Sequence, residues 1–540
     1  MQPDQILAVR RLRDFAHAKR RRARPIRRHQ RFTHEVQYRT EHHKKLITYQ
    51  SMQNHLQNAS WSGAITGYRG LVGIANALLA VRLLGIENYG HIVTLLSVFV
   101  LYLSLNNSVY MAFVAKLMSP EVVENSVMRS EILVSAALIT VCSISLLVTI
   151  NYATYLISPS VFNLVKSPNM GLAFLMMGAL VALQILSALQ SAVIESTGRL
   201  DLAMKAQLLG PTIGVILLVM FFILHIPLSP KNYVAILCFS VAIDLFLLWI
   251  VRRLMLHLVI WQSGCRIRMQ LLKSLLRSSS ALQATALMNL IIEPLNKLLL
   301  NHFVGPLAVT TYDLIMKVIS GIQALFGSAM RVFLHLANQQ GITVGEAYAR
   351  TISLITMPAL TAHTIGALLM AWVANHWANI EATQLMFFYA LASVGNLSII
   401  FATPLFISLI SRSDLRFIFL NQSQVLIIKL AASVALVPFI GLHGVALGFI
   451  CASFYYLVTA YRRHQIIVGE SSSLELTIYK NFGRFSFGFL LFFASIFLGL
   501  FATQVSFLWL IILLAIAVIM RRDPLVSLLL ARQNKFEKHV

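Results

Sequence analysis

The stretch Asn76-Ala-Leu-Leu-Ala-Val-Arg82-Leu-Leu-Gly85 has an echo in the second half of the chain, Asn296-Lys-Leu-Leu-Leu-Asn-His302-Phe-Val-Gly305. An Asn, two Leu and a closing Gly coincide, and Arg82 lies opposite His302. A tyrosine follows each copy, Tyr89 and Tyr312. Each copy closes a long apolar run, the first over about 62–84 and the second over about 280–303. A helix needs roughly 20 largely apolar residues to cross a bilayer. Both copies therefore read as the ends of membrane-spanning helices. They run in the same direction, so the repeat is parallel, and the chain divides into two like halves.

Working outward, twelve further runs of spanning length follow the same pattern. The spans are expected at about 62–84, 90–115, 132–157, 169–195, 204–226, 232–252, 280–303, 307–334, 350–373, 383–410, 417–438, 442–461, 483–502 and 505–520. The composition agrees: 58% of the 540 residues are hydrophobic, 12% are charged, and the mean hydropathy is +0.74. An ordinary soluble domain is about 25% charged. So little polarity cannot cover a water-facing surface, which excludes a soluble protein. The expected class is an all-α integral membrane protein of about 14 transmembrane helices, with two pseudo-symmetric six-helix bundles plus two C-terminal helices. The expected segments are a basic tail 1–60, a first bundle 61–252, a basic linker 253–279, a second bundle 280–465, and two extra helices with a tail over 466–540.

The few charges sum to +24. Fourteen Lys/Arg crowd the first 60 residues. Such a segment buries too little apolar surface to offset its ordering entropy, and is expected to be mobile. A weak apolar stripe, Ile6, Leu7, Val9, Leu12 and Phe15, fits a short helix lying on anionic lipid. Placing the N-terminus in the cytoplasm puts thirty-five of the forty-four Lys/Arg on inside segments and only Lys166 and Lys231 outside. Inside loops are the ones that carry Lys and Arg. Both termini are thus expected in the cytoplasm. No cleavable signal peptide is expected, because residues 1–60 contain no apolar core of the needed length.

Charge inside the membrane is costly, roughly 2.5–3.5 kcal/mol at a helix centre on insertion scales, so its placement is informative. Arg69 lies about two turns into the first span, beside Gly67, Gly70 and Gly73, and Arg82 lies near its outer end. The seventh span carries Asn289, Glu293, Asn296 and Lys297, which share one helix face, and Pro294, which predicts a kink. The eighth carries Asp313, Lys317 and Ser320. In both, the acid precedes the base by four residues, the favourable order for a pair. Arg69, Arg82, Lys297, Lys317, Glu293 and Asp313 are the candidate cavity residues, with a surplus of two positive charges. That balance suits a phosphate-bearing or acidic-sugar cargo. Asp244 stands alone in the sixth span as a candidate proton or cation site. Lys116, Arg331 and Lys429 sit in or at the edge of spans without a comparable pattern.

Other chemistries leave no trace. No glycine loop of the Walker type occurs, and the histidines lack metal-ligand spacing, so no cofactor or metal is expected. Cys142, Cys238, Cys265 and Cys451 form no disulfide framework. Basic residues interleaved with aromatics in the tail resemble a nucleic-acid patch. Topology and lipid attraction explain the same charges, so no nucleic-acid partner is expected.

The segment Leu-Leu-Ala-Val-Arg82-Leu-Leu-Gly85-Ile-Glu-Asn-Tyr89-Gly90 resembles the first-helix signature of the polysaccharide-exporting oligosaccharide–lipid flippases of the multidrug/oligosaccharidyl-lipid/polysaccharide (MOP) exporter superfamily. Tyr312-Asp313-Leu-Ile-Met-Lys317 is similar to that family's eighth helix, Pro438-Phe-Ile-Gly441-Leu-His-Gly444-Val-Ala-Leu-Gly448 to its turn between spans 11 and 12, and Thr197-Gly198-Arg199 to the end of its fourth. The likeness covers roughly residues 60–520. It implies two six-helix bundles whose spans 1, 2, 7 and 8 face a central cavity. It also implies alternating-access movement of undecaprenyl-diphosphate-linked oligosaccharide across the bacterial inner membrane. Basic residues in those spans would hold the diphosphate or acidic sugars. The expected partners are the lipid-linked oligosaccharide, anionic lipid at the tail, and polysaccharide assembly proteins. The chain departs from the family in its long basic tail and in lacking a proline after Arg331.

Two rival functions stay open at this point. A cation-coupled multidrug exporter of the same superfamily would use Asp244, Glu293 or Asp313 as its coupling acid. A membrane polysaccharide polymerase or ligase would need a large outer loop carrying catalytic groups, and every outer loop here is short.

Overall fold

The computed structural model describes residues 65–117, 126–157, 170–197, 199–255, 273, 291–337, 344–376, 382–411 and 415–468. Every regular element among them is helical. The basic tail, nearly all of the linker, the first part of the expected seventh span, and both expected C-terminal spans lie outside the described residues. In chain order the helices are α1 (Ile65–Leu84), α2 (Ile86–Leu117), α3 (Ser126–Ile157), α4 (Met170–Glu195), the short α5 (Leu200–Ala206), α6 (Leu209–Ile223) and α7 (Pro230–Ile250). A single π-helical turn, Val251–Met255, extends α7. Then follow α8 (Ile292–Phe303), α9 (Pro306–Ala337), α10 (Val344–His376), α11 (Ala382–Ser411), α12 (Leu415–Ile440) and α13 (Leu442–Val468).

Each of the first twelve expected spans has its helix, the fifth being α5 and α6 together and the seventh represented by α8. Nine helices among the described residues are long and apolar enough to cross a membrane. The cause is the same for all. A chain in lipid must satisfy its own backbone N–H and C=O groups, and a helix does so within one segment. Pro294 falls in the first turn of α8, just after a bend at Ile291. The part of the seventh span that precedes it lies outside the described residues.

The repeat quoted at the outset is visible as geometry. Gly85 separates α1 from α2 with φ +81°, and Gly305 separates α8 from α9 with φ +110°. A side chain at either site would be strained, because L residues rarely adopt positive φ. Both glycines end one helix and let the next begin within a residue or two. Arg82 and His302, opposite one another in the repeat, are both exposed.

Packing divides the helices into two groups. In the first, α4 is central and packs on α2, α3 and α7, while α6 packs on α7. In the second, α11 packs on α9, α10 and α13, and α12 packs on α13 and α8. The groups meet where α2 lies against α8 and α9. There the backbones approach closely: a Cβ built on Gly90 would collide with the Pro306 carbonyl oxygen. Lipid gives no hydrophobic drive between helices, so small residues at such crossings let dispersion and polar contacts hold them. Tyr89, Phe113, Tyr312, Phe388 and Tyr389 are fully buried and belong to a core that runs through both groups.

Candidate functional site at the junction of the helix groups

The first two turns of α8 and the stretch Asp313–Lys317 of α9 carry a cluster of four charged side chains. The i, i+4 spacing sets Glu293 beside Lys297, with Nζ 2.7 Å from Oε1, and Asp313 beside Lys317, with Nζ 2.8 Å from Oδ2. The two pairs are also joined across the helices. Lys297 Nζ donates to Asp313 Oδ1 at 2.8 Å. From the first helix group, Tyr89 of α2 donates its hydroxyl to Asp313 Oδ2 at 2.7 Å and accepts from Lys317 Nζ at 2.6 Å. The Lys317 ammonium stands 5.3 Å from the centre of the Tyr89 ring. Thr310 completes the junction by donating to the Ile86 carbonyl at 2.7 Å.

The cluster is graded in depth. Lys297 and Asp313 are 4% and 2% exposed, so Asp313 is a buried carboxylate held by two ammoniums and a phenol. At the other end the Glu293 and Lys317 side chains are 52% and 35% exposed and within reach of a ligand. Asn296, on the same face of α8, is buried and donates to the Tyr312 hydroxyl at 3.4 Å. Charge-assisted hydrogen bonds of this kind are about twice as strong as neutral ones. The four titrating members sum to zero, so the surplus of two positive charges rests on Arg69 and Arg82.

Those two lie elsewhere. Arg82 is exposed near the end of α1. Arg69 is half-buried and donates through Nη2 to Gln207 Oε1 at 2.7 Å, just beyond α5. Its field comes from Asp244 of α7 and Glu195 of α4. Asp244 accepts from the Gly210 amide at 2.9 Å, and Glu195 accepts from Ser191 at 2.8 Å. The adjacent Tyr68 hydroxyl meets Thr212 Oγ1 at 2.6 Å. The structure thus assembles Lys297, Lys317, Glu293 and Asp313 in one cluster and sets Arg69 and Asp244 in a second, inside the first helix group. The helices bearing the two clusters still touch, because Gly70 of α1 faces Gly321 of α9, one turn from Lys317.

Sequence reasoning finds the two i, i+4 pairs and misses the residues that join them. The tyrosine after each repeat copy is the signal for Tyr89, but nothing in its spacing names Asp313 as its acceptor. Gln207 has no signal. No group of three or more His, Cys, Asp and Glu among the described residues could hold a metal ion.

No protein-family model matches the sequence, and no curated protein matches it significantly. Solved structures match it in fold. An inward-facing multidrug-resistance MATE family transporter of the MOP superfamily superposes with a TM-score of 0.60 at 14% identity, over 74% of this chain and 96% of that one. The lipid II flippase MurJ in an inward closed conformation gives 0.60 at 11% identity, over 86% and 99%. A MATE in complex with MaD3S gives 0.55 at 15%, over 76% and 94%. These superpositions, over 74–86% of the chain, give this protein the fold of those transporters.

Proposed function

We propose that the chain is an alternating-access flippase. It moves a polyprenyl-diphosphate-linked oligosaccharide across the bacterial inner membrane for polysaccharide export. The observation that carries this reading is the junction itself. Ion pairs from one helix group are latched by a phenol from the other, with Lys317 and Glu293 open to a ligand, and the helix that carries Arg69 touches α9 at Gly321. A latch of side-chain bonds between two rigid groups can open and re-form, which alternating access requires. Cations at its edge can accept a diphosphate when it does. The fold is also that of a lipid II flippase. In this reading both termini are cytoplasmic, the bundles are 61–252 and 280–465, and the chain is a transporter and not an enzyme. The basic tail docks on anionic lipid or an assembly protein, so deleting residues 1–50 lowers export without preventing folding.

The direct test is translocation of a labelled polyprenyl-diphosphate sugar in reconstituted vesicles. Arg69→Ala and Lys317→Ala are each expected to reduce it at least tenfold. Unchanged translocation in both removes these residues from the cargo path.

A second reading, a cation-coupled multidrug exporter, is favoured by one observation: the junction cluster is electrically neutral, and the third candidate coupling acid, Asp244, lies outside it, buried and within the field of Arg69. In that case the protein confers drug resistance on a pump-deficient host, and Asp244→Asn abolishes it.

A further inference from the structure

We propose that Glu293 determines which sugar the cargo site accepts: it takes a hydrogen bond from the sugar that carries the diphosphate, and it repels an ionised carboxylate at that position. The cargo class narrows accordingly to polyprenyl diphosphates whose first sugar is neutral or amine-bearing, and not a uronic acid. This inference deepens the flippase reading and rests on it. Glu293 lies ten residues before the end of α8 at Phe303, and Lys317 lies eleven after the start of α9 at Pro306. At about 1.5 Å per residue, both sit roughly 15 Å from the α8–α9 turn, near the middle of a hydrocarbon core about 30 Å thick. The Glu293 side chain is nevertheless 52% exposed. Lipid makes an exposed carboxylate too costly at that depth, so this side of α8 borders water. Leu298, an exposed apolar residue of the same helix, is five positions on and about 140° around it, which sets the lipid-facing side apart.

The open edge of the cluster offers one donor and two acceptors. Lys317 gives N–H groups to Asp313 and Tyr89, and its third has no acceptor among the described residues. Glu293 Oε1 is held by Lys297 at 2.7 Å, while Oε2 has no hydrogen-bond partner among the described residues. Ser320, exposed and one turn beyond Lys317, donates to the Lys317 carbonyl at 3.2 Å and keeps its oxygen as an acceptor. The contacts through Lys297 and Asp313 tie these groups together, over about the length of a sugar diphosphate. Lys317 suits a phosphate oxygen. A diphosphate joined to lipid and sugar has no proton to give the two acceptors. A hydroxyl, amide or amine on the adjoining sugar does. A carboxylate there has none and meets the charge of Glu293, so discrimination comes from a repulsive element as well as an attractive one. Lys297 keeps Asp313 when the charge at 293 is removed, which separates this role from simple charge balance.

The experiment compares polyprenyl-diphosphate glucose with polyprenyl-diphosphate glucuronate, using the full-length protein in vesicles of neutral lipid. The wild type should translocate the glucose probe at least about tenfold faster. Glu293→Gln keeps the shape and removes the charge, and should bring that ratio below about threefold. Glu293→Ala, a second variant without the charge, should do the same, and Glu293→Asp, which keeps it, should retain the preference. A residue that only balances the charge of Lys297 would change stability in Glu293→Gln and leave the ratio as in the wild type. Binding of the decyl-diphosphate forms of the two sugars to the protein in detergent reads the same preference without transport. A glucose preference in binding that Glu293→Gln abolishes upholds the assignment even if neither probe is translocated, and that outcome removes the flippase reading alone. Equal binding of the two sugars by the wild type, a preference that survives both Glu293→Gln and Glu293→Ala, or binding of neither sugar would each overturn the assignment.

Discussion

The two charged clusters of this protein are built on opposite plans. At the α2–α8–α9 junction, two acids and two lysines are all within hydrogen-bond distance of a partner of opposite charge, and a phenol bridges the most buried of them. Around Arg69, one cation and two acids share a region without forming an ion pair within 4.0 Å among the described residues. Arg69 takes an amide oxygen, Asp244 takes a backbone N–H, and Glu195 takes a serine hydroxyl. A saturated network fixes the position of its members. An unsaturated one leaves an arginine whose strong contact among the described residues is a neutral side chain that an anion can displace. The junction thus has the character of a latch, and the Arg69 region that of a receptor.

The sharpest way to break this contrast is to cut the junction at its most connected atom pair. Asp313→Asn keeps the shape but takes from Lys297 its buried carboxylate, leaving it only the half-exposed Glu293, and takes from Lys317 its ion-pair partner. Breaking a buried pair by removing one partner costs about 3–5 kcal/mol. Thermal unfolding should show that loss. Asp244→Asn, whose carboxylate accepts one backbone bond, should cost about 1–2 kcal/mol. Pairing Asp313→Leu with Lys297→Met should recover much of the stability, since it removes both buried charges together. Equal losses for Asp313→Asn and Asp244→Asn would mean that the two clusters do not differ as described.

A smaller effect is expected from steric wedging of the latch. Alanine at Gly90 brings a methyl group onto the Pro306 carbonyl, where no flexible side chain can yield. Overpacking of this kind costs about 1–3 kcal/mol. It acts on the latched arrangement and not on either helix group alone. In a background lacking the four native cysteines, Gly90→Ala should speed labelling of Thr310→Cys by a membrane-impermeant thiol reagent. Tyr89→Phe should act in the same direction more weakly, near 1 kcal/mol, because Asp313 keeps both lysines. Slower or unchanged labelling in both variants would show that this junction does not gate access.

How much of this was legible in the sequence follows the range of each interaction. The apolar runs report on single helices, and the first twelve have their counterparts. Gly85 and Gly305 report on backbone conformation, and both carry positive φ. The Glu293–Lys297 and Asp313–Lys317 pairs lie within one helical turn and follow from spacing alone. The bonds that convert those pairs into a junction do not. Lys297 reaches Asp313 across a helix boundary, and Tyr89 reaches Asp313 across most of the intervening first group. Their existence depends on where α2 lies against α9, which no local pattern encodes. The same limit applies to Arg69. Its charge and depth could be read directly, whereas its turn toward Gln207 depends on where α5 ends.

The smallest stability effect is expected where function is most exposed. Arg69 is half-buried, and its one strong bond goes to an amide, so Arg69→Gln should lower stability by about 1 kcal/mol or less. If the region is a receptor, the same change should cut translocation of a diphosphate-linked cargo by a much larger factor. Arg69→Lys should recover only part of the loss, since an ammonium keeps the charge without the planar two-pronged donor set that matches a phosphate. The comparison that decides is the ratio of the two readouts. Near-normal stability with a large transport loss, only partly restored by lysine, marks a cargo-binding residue. A transport loss no greater than the loss of folded protein would make Arg69 a packing residue, and the receptor half of the contrast would fall.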